Sequence, residues 1–138
     1  AGYARVLRMT RNDWPNYICC VLTVREELIE RNGPLVQDLV NHVLGAGLWL
    51  DAARANRATA VAIAAGKDYF NQDPRIIQYV MDNPTDRVTY GDLRMIPSEF
   101  DELMRLSMAA GTIKHPIPFD TYADDRFVRL AKPAAIAL

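Results

Sequence analysis

The chain has 138 residues, half of them hydrophobic and 24% charged, with a formal net charge of −1 at neutral pH. Those totals suit one compact domain or one piece of a larger protein, and they are too apolar for a disordered chain. They offer no basic block to neutralise phosphates, so nucleic acid is not an expected partner. No apolar run approaches the ~20 residues of a bilayer span.

Ala1–Met9 carries Arg5 and Arg8 in a short, interrupted apolar stretch. It does not read as an export signal, which is expected to have been removed or to lie upstream. Within it, Ala4–Met9 alternates loosely and predicts a short strand. Thr10–Asn16 is polar, with Trp14-Pro15 ending any regular structure. Tyr17–Val24 (YICCVLTV) is the strongest strand candidate, an apolar and β-branched run expected of a strand covered on both faces. Its adjacent Cys19 and Cys20 would point to opposite faces of a strand and are poorly placed to bridge each other. Both are read as small buried hydrophobes. A metal or redox pair is the alternative, but metal sites space their cysteines and add further ligands.

Arg25–Arg31 predicts a short helical turn closing at Asn32-Gly33, where glycine would supply the left-handed stop. Pro34 suits the first position of a new helix, since its missing N–H has no partner there anyway. Leu35, Val36, Leu39, Val40, Val43, Leu44 and Leu48 follow at helical spacing and make one wide apolar face over about four turns. Gln37, Asp38, Asn41 and His42 fall on the other side. Gly45 and Gly47 weaken the helix, which predicts that a neighbouring element comes close there.

Arg57–Ala65 reads as a helix stopped by Gly66, and Lys67–Asp73 as a link. Pro74 opens an amphipathic helix through Ile76, Ile77, Val80 and Met81, which Asn83-Pro84 ends. Arg87–Arg94 reads as extended chain or loop. Pro97–Ala110 predicts a further helix, with Ser98 as its cap and Gly111 as its stop. A proline-rich connection leads to a short helix over Thr121–Leu130, and residues 131–138 form a poorly patterned tail. Five or six helices accompany only about two short strands, too few for an independent sheet. The companions of Tyr17–Val24 are therefore expected from sequence outside this chain or from a second copy.

The chemistry-bearing residues are sparse. The glycines are isolated stops with no phosphate loop, and no G-x-S-x-G elbow is present. His42 and His115 lie far apart without a second ligand at helical spacing. Glu26-Glu27 and Asp124-Asp125 are adjacent acids that do not share a helix face, and Lys67 is a linker lysine. The expectation is a binding protein with no cofactor and no metal, not an enzyme.

The order of WPNYICCVLTV, REELIERNGP, LVQDLVNHVLGAGLWLDAAR, DYFNQDPRIIQYV and IPFDTYADDRFVRL, closing on Tyr122-Ala123-Asp124-Asp125-Arg126-Phe127, resembles the later part of a known family. It is similar to periplasmic solute-binding proteins of the nitrate/sulfonate/taurine ABC importer group, over roughly Gly2–Leu130. The resemblance implies an α/β chain, a mostly helical C-terminal part of a two-lobed, type II periplasmic-binding-protein-like fold whose first part is absent. It implies capture of a small solute, such as a sulfonate, nitrate or bicarbonate, and its delivery to an ABC permease from a periplasmic or extracytoplasmic membrane-associated location. Arg11, Trp14, Asn16 and Tyr17 would lie nearest the hinge. There Trp14 offers an apolar wall, Tyr17 a hydroxyl, Asn16 a donor and acceptor, and Arg11 a partner for an anion. Packing at a strand start is the plainer role for Trp14 and Tyr17, and surface exposure for Arg11. Tyr69, Phe70 and Asn71 form a weaker second cluster. A ligand-sensing regulatory module of the same fold is the alternative. A pyrimidine-precursor synthase-like enzyme is the third reading, requiring His42 or His115 beside Cys19 or Cys20.

Overall fold

The computed structural model describes residues 5–15 and 18–138. It is 55% helical, and among the described residues there is no strand. Seven helices are formed by the described residues: α1 (Thr10–Asp13), α2 (Glu26–Ala52), α3 (Arg54–Ala64), α4 (Pro74–Asp82), α5 (Pro97–Ala109), α6 (Phe119–Tyr122) and α7 (Arg126–Arg129).

This overturns the α/β expectation and with it the two-lobed, type II fold. Tyr17 lies outside the described residues, but residues 18–24 of the expected strand have no regular structure, and Val21 and Leu22 are about half exposed. Residues 5–9 of the other expected strand are likewise irregular, and the Leu7 side chain is 100% exposed. A β-branched run forms a strand only where a neighbour accepts its backbone hydrogen bonds, and no such neighbour exists among the described residues. Cys19 and Cys20 are exposed, not buried, for the same reason.

The contacts group the chain into two units: residues 1–25 with 95–124, and residues 26–94 with 125–138. In the second unit, α3 packs against both α2 and α4, and α7 packs against α2. Its centre is Val36 and Val40 of α2 with Val61 of α3, the buried apolar side chains. In the first unit α5 packs on α6, where the rings of Phe100, Phe119 and Tyr122 meet at centroid distances of 5.3–6.0 Å.

Local chemistry explains the helix ends. The helical turn before Pro34 and the helix after it run together as α2, broken at Asn32, whose backbone (φ −148°, ψ 56°) is not helical. The Asn32 side chain accepts the N–H of Leu35 at 3.3 Å, so asparagine, and not a left-handed Gly33, makes the break and caps the longer helical run beyond it. Asp73 caps α4 by accepting the N–H of Arg75 at 2.9 Å, with Pro74 at the first position as its sequence indicated. Pro97 does the same at the start of α5, but Ile96 occupies the cap and Ser98 does not. Gly111 (φ 73°) stops α5 in the left-handed region where glycine alone is unstrained. The helix expected over Thr121–Leu130 is instead two single turns, α6 and α7, separated at Ala123–Asp125.

Candidate functional site

The face of α2 that packs inward runs through Val36, Val40 and the half-buried Leu44. One residue earlier in each turn stand Leu35, Leu39 and Val43, rotated about 100° from that face. These three remain 51%, 42% and 40% exposed. The wide apolar face read from the sequence is thus only half used within the unit. On α4, Ile76, Tyr79 and Val80 are also exposed, as is Ile63 of α3. Between α3 and α4 runs an open groove of about 500 Å³, floored by Ala58, Val61 and Ala62 and edged by Tyr79, Gln78 and Asp82.

The helices that carry this surface are held by polar ties. Gly45 and Gly47 admit two distant segments against the α2 backbone: a Cβ at Gly45 would stand 2.9 Å from the Ala134 nitrogen, and one at Gly47 2.9 Å from Leu93 Cδ1. The tail is fixed there, the Lys132 N–H donating to Asn41 Oδ1 and the Ala134 N–H to the Asn41 carbonyl, each at 2.9 Å. Gln37 Nε2 donates to the Phe127 carbonyl at 2.8 Å and secures α7.

At the far end of α2, Asn56 Nδ2 donates to the Trp49 carbonyl at 2.6 Å and Arg57 Nε to the Leu50 carbonyl at 3.2 Å. Both satisfy carbonyls that a helix C-terminus leaves without partners. The same guanidinium pairs with Asp51 and donates through Nη1 to the Thr85 carbonyl at 2.9 Å. Asp51 Oδ2 accepts the N–H groups of Tyr90 at 2.7 Å and Gly91 at 2.6 Å. Partial burial pushes the Asp51 carboxyl up, but the Tyr90 N–H, the Arg57 guanidinium and the Gly91 N–H outweigh it and hold the group below its ordinary range.

Several other charges are paired locally. Arg54 pairs with Asp82 at 3.0 Å, Arg94 with Asp92 at 2.6 Å, Arg105 with Glu102 at 2.6 Å and Arg129 with Asp125 at 2.9 Å. Among the described residues no three His, Cys, Asp or Glu side chains gather as a metal site would need, and no helix is long and apolar enough to cross a membrane.

Of the expected solute-binding residues, Arg11 and Trp14 lie on and just after α1, one helical turn apart and both half-buried. Asn16 and Tyr17 lie outside the described residues. Tyr69 and Phe70 are exposed on the turn after α3, and Asn71 there adopts a positive φ of 47°. His42 stands exposed on α2 beside Asp38, and His115 and Lys67 are exposed. Sequence reasoning missed the Asp51–Arg57 centre, because the pair lies six positions apart across a helix break, a spacing at which residues of one helix do not meet. Compared with known proteins, the chain matches no family model, no curated protein and no solved structure.

Proposed function

We propose that the chain is a helical assembly module whose function is to bind another copy of itself through the outer flank of α2. The observation that supports this is the half-used apolar face of α2, where Leu35, Leu39 and Val43 stay 51%, 42% and 40% exposed beside the buried Val36 and Val40. The stripe of Leu35, Leu39 and Val43 on one helix flank supplies the apolar centre such an interface requires. A formal net charge of −1 leaves little long-range repulsion between copies.

The test is mass in solution by sedimentation or light scattering. The native chain is expected to be dimeric or larger at micromolar concentration. The Leu35→Glu/Leu39→Glu variant should be monomeric with unchanged helicity. A native chain that stays monomeric at the highest soluble concentration refutes the reading.

A second reading, capture of a small solute for a membrane importer in an extracytoplasmic setting, draws on the groove between α3 and α4. Its volume of about 500 Å³ lies in the range of small-molecule sites, though it is open along its length. Sulfonates, nitrate and bicarbonate are the ligands to try, by thermal shift. A ligand that binds only the folded state must raise the melting temperature, and no shift with any of them removes this reading.

A further inference from the structure

Cys19 and Cys20 lie in the irregular segment before α2, both exposed, with the Cys20 thiol directed at the Cys19 sulfur across 3.7 Å. Neighbouring residues have Cα atoms about 3.8 Å apart, below the separation of about 4.4–6.8 Å that an ordinary disulfide needs. Closing the pair would also bring the sulfurs to about 2.05 Å and force a strained eight-membered ring. A single atom held between the two sulfurs asks for much less movement. At the zinc–thiolate bond length of about 2.3 Å, a tetrahedral centre spans about 3.8 Å between two sulfurs, close to the separation found. The described residues supply no third donor, which leaves a four-ligand structural metal site incomplete. A pyramidal soft centre that takes only two sulfurs, at an angle nearer a right angle than the tetrahedral one, asks the pair to close by only a fraction of an ångström from 3.7 Å.

We propose that Cys19 and Cys20 form a vicinal dithiol site that chelates one soft, thiophilic centre of the trivalent arsenical class. Such a centre already carries one carbon substituent and takes two thiolates. With an aryl arsenoxide, two S–H bonds break and two S–As bonds form, while the oxide oxygen leaves as water with both thiol protons. Arsenic stays trivalent, so no oxidant or reductant enters the step. The pair is exposed and sits outside helices, which gives a ligand direct access. The Cys20 sulfur, by hydrogen bond and then by charge, keeps the Cys19 thiol protonated above its ordinary range. The neutral dithiol is the form this condensation consumes. The site does not rest on self-association and is tested separately from it.

The experiment uses the full chain, fully reduced, treated with phenylarsine oxide in the presence of a large excess of a monothiol. A monothiol displaces arsenic held by one sulfur, but competes poorly with a chelate. The native chain is expected to retain one arsenic adduct by intact mass, one water lighter than the sum of its parts. Cys19→Ser and Cys20→Ser should each lose it, with helicity by circular dichroism unchanged. Retention by either single variant, or loss from the native chain under the same competition, overturns the proposal.

Discussion

The Arg57 guanidinium pairs with the Asp51 carboxylate across the break between α2 and α3, and the two groups together hold the end of one helix and the loop that follows α4. Their side chains are only 16% and 23% exposed, so this pair is sheltered where the other ion pairs are mostly wet. Asp51→Ala strands the Tyr90 and Gly91 N–H groups, and Arg57→Ala strands the Leu50 and Thr85 carbonyls. Each is expected to cost about 1–3 kcal/mol by urea denaturation, as for other charge-assisted hydrogen bonds. The double variant should cost less than the sum of the singles, because the same contacts are lost once.

Acid should weaken the fold through the same carboxylate. Asp51 titrates lower in the folded chain than in the unfolded one, so its contribution is complete above the ordinary carboxylate range. It is lost as pH falls through the folded value. Asp92 behaves alike at its exposed site, where the Arg94 side chain and then the Arg94 N–H lower it to about 2. Melting temperature is therefore expected to fall between about pH 4 and pH 2. Asp51→Ala should show a shallower fall over that interval than the native chain.

Gly45→Ala places a methyl group against the backbone of Ala134, which cannot yield as a flexible side chain would. The gain in helix propensity, about 1 kcal/mol, is smaller than the cost of that overlap. The tail is expected to detach, which limited proteolysis would show as rapid trimming of residues 131–138 while the helical part stays intact. Asn41→Ala, which removes the acceptor for the Lys132 N–H, should detach it less completely, since the Asn41 carbonyl still receives Ala134.

Asp73 offers a smaller and cleaner case. Its carboxylate caps α4 and is held low by the Arg75 side chain and the Arg75 N–H. Asp73→Ala is expected to lower the denaturation midpoint at constant slope, as the loss of a helix cap does.

Four helices were legible in the sequence because each carries a local physical signal. Pro34, Pro74 and Pro97 mark first turns, Gly66 and Gly111 follow the ends of α3 and α5, and the apolar spacing from Leu35 to Leu48 has a helical period. The close approach at Gly45 and Gly47 was legible too, although which segments approach was not. The expected strand at Tyr17–Val24 failed because a hydrophobic, β-branched run states only that burial is favourable. It says nothing of where the hydrogen-bonding neighbour would come from. The burial of Cys19 and Cys20 was inferred from that strand and fell with it. Of the proposed site, the seam of Leu35, Leu39 and Val43 was visible as apolar, but not as outward-facing. Which half of a wide face is covered depends on how α3 folds back and on a tail anchored 91 residues away.

The anchoring of the tail on Asn41 joins positions 91 residues apart. During synthesis on the ribosome, α2 emerges long before the tail segment that covers Gly45. For that interval the bare helix backbone is open to a stray strand or to a neighbouring nascent chain. Closing so long a loop is entropically slow, so the tail should be the last part of this unit to acquire protection from amide exchange. It should be the first to lose that protection on warming.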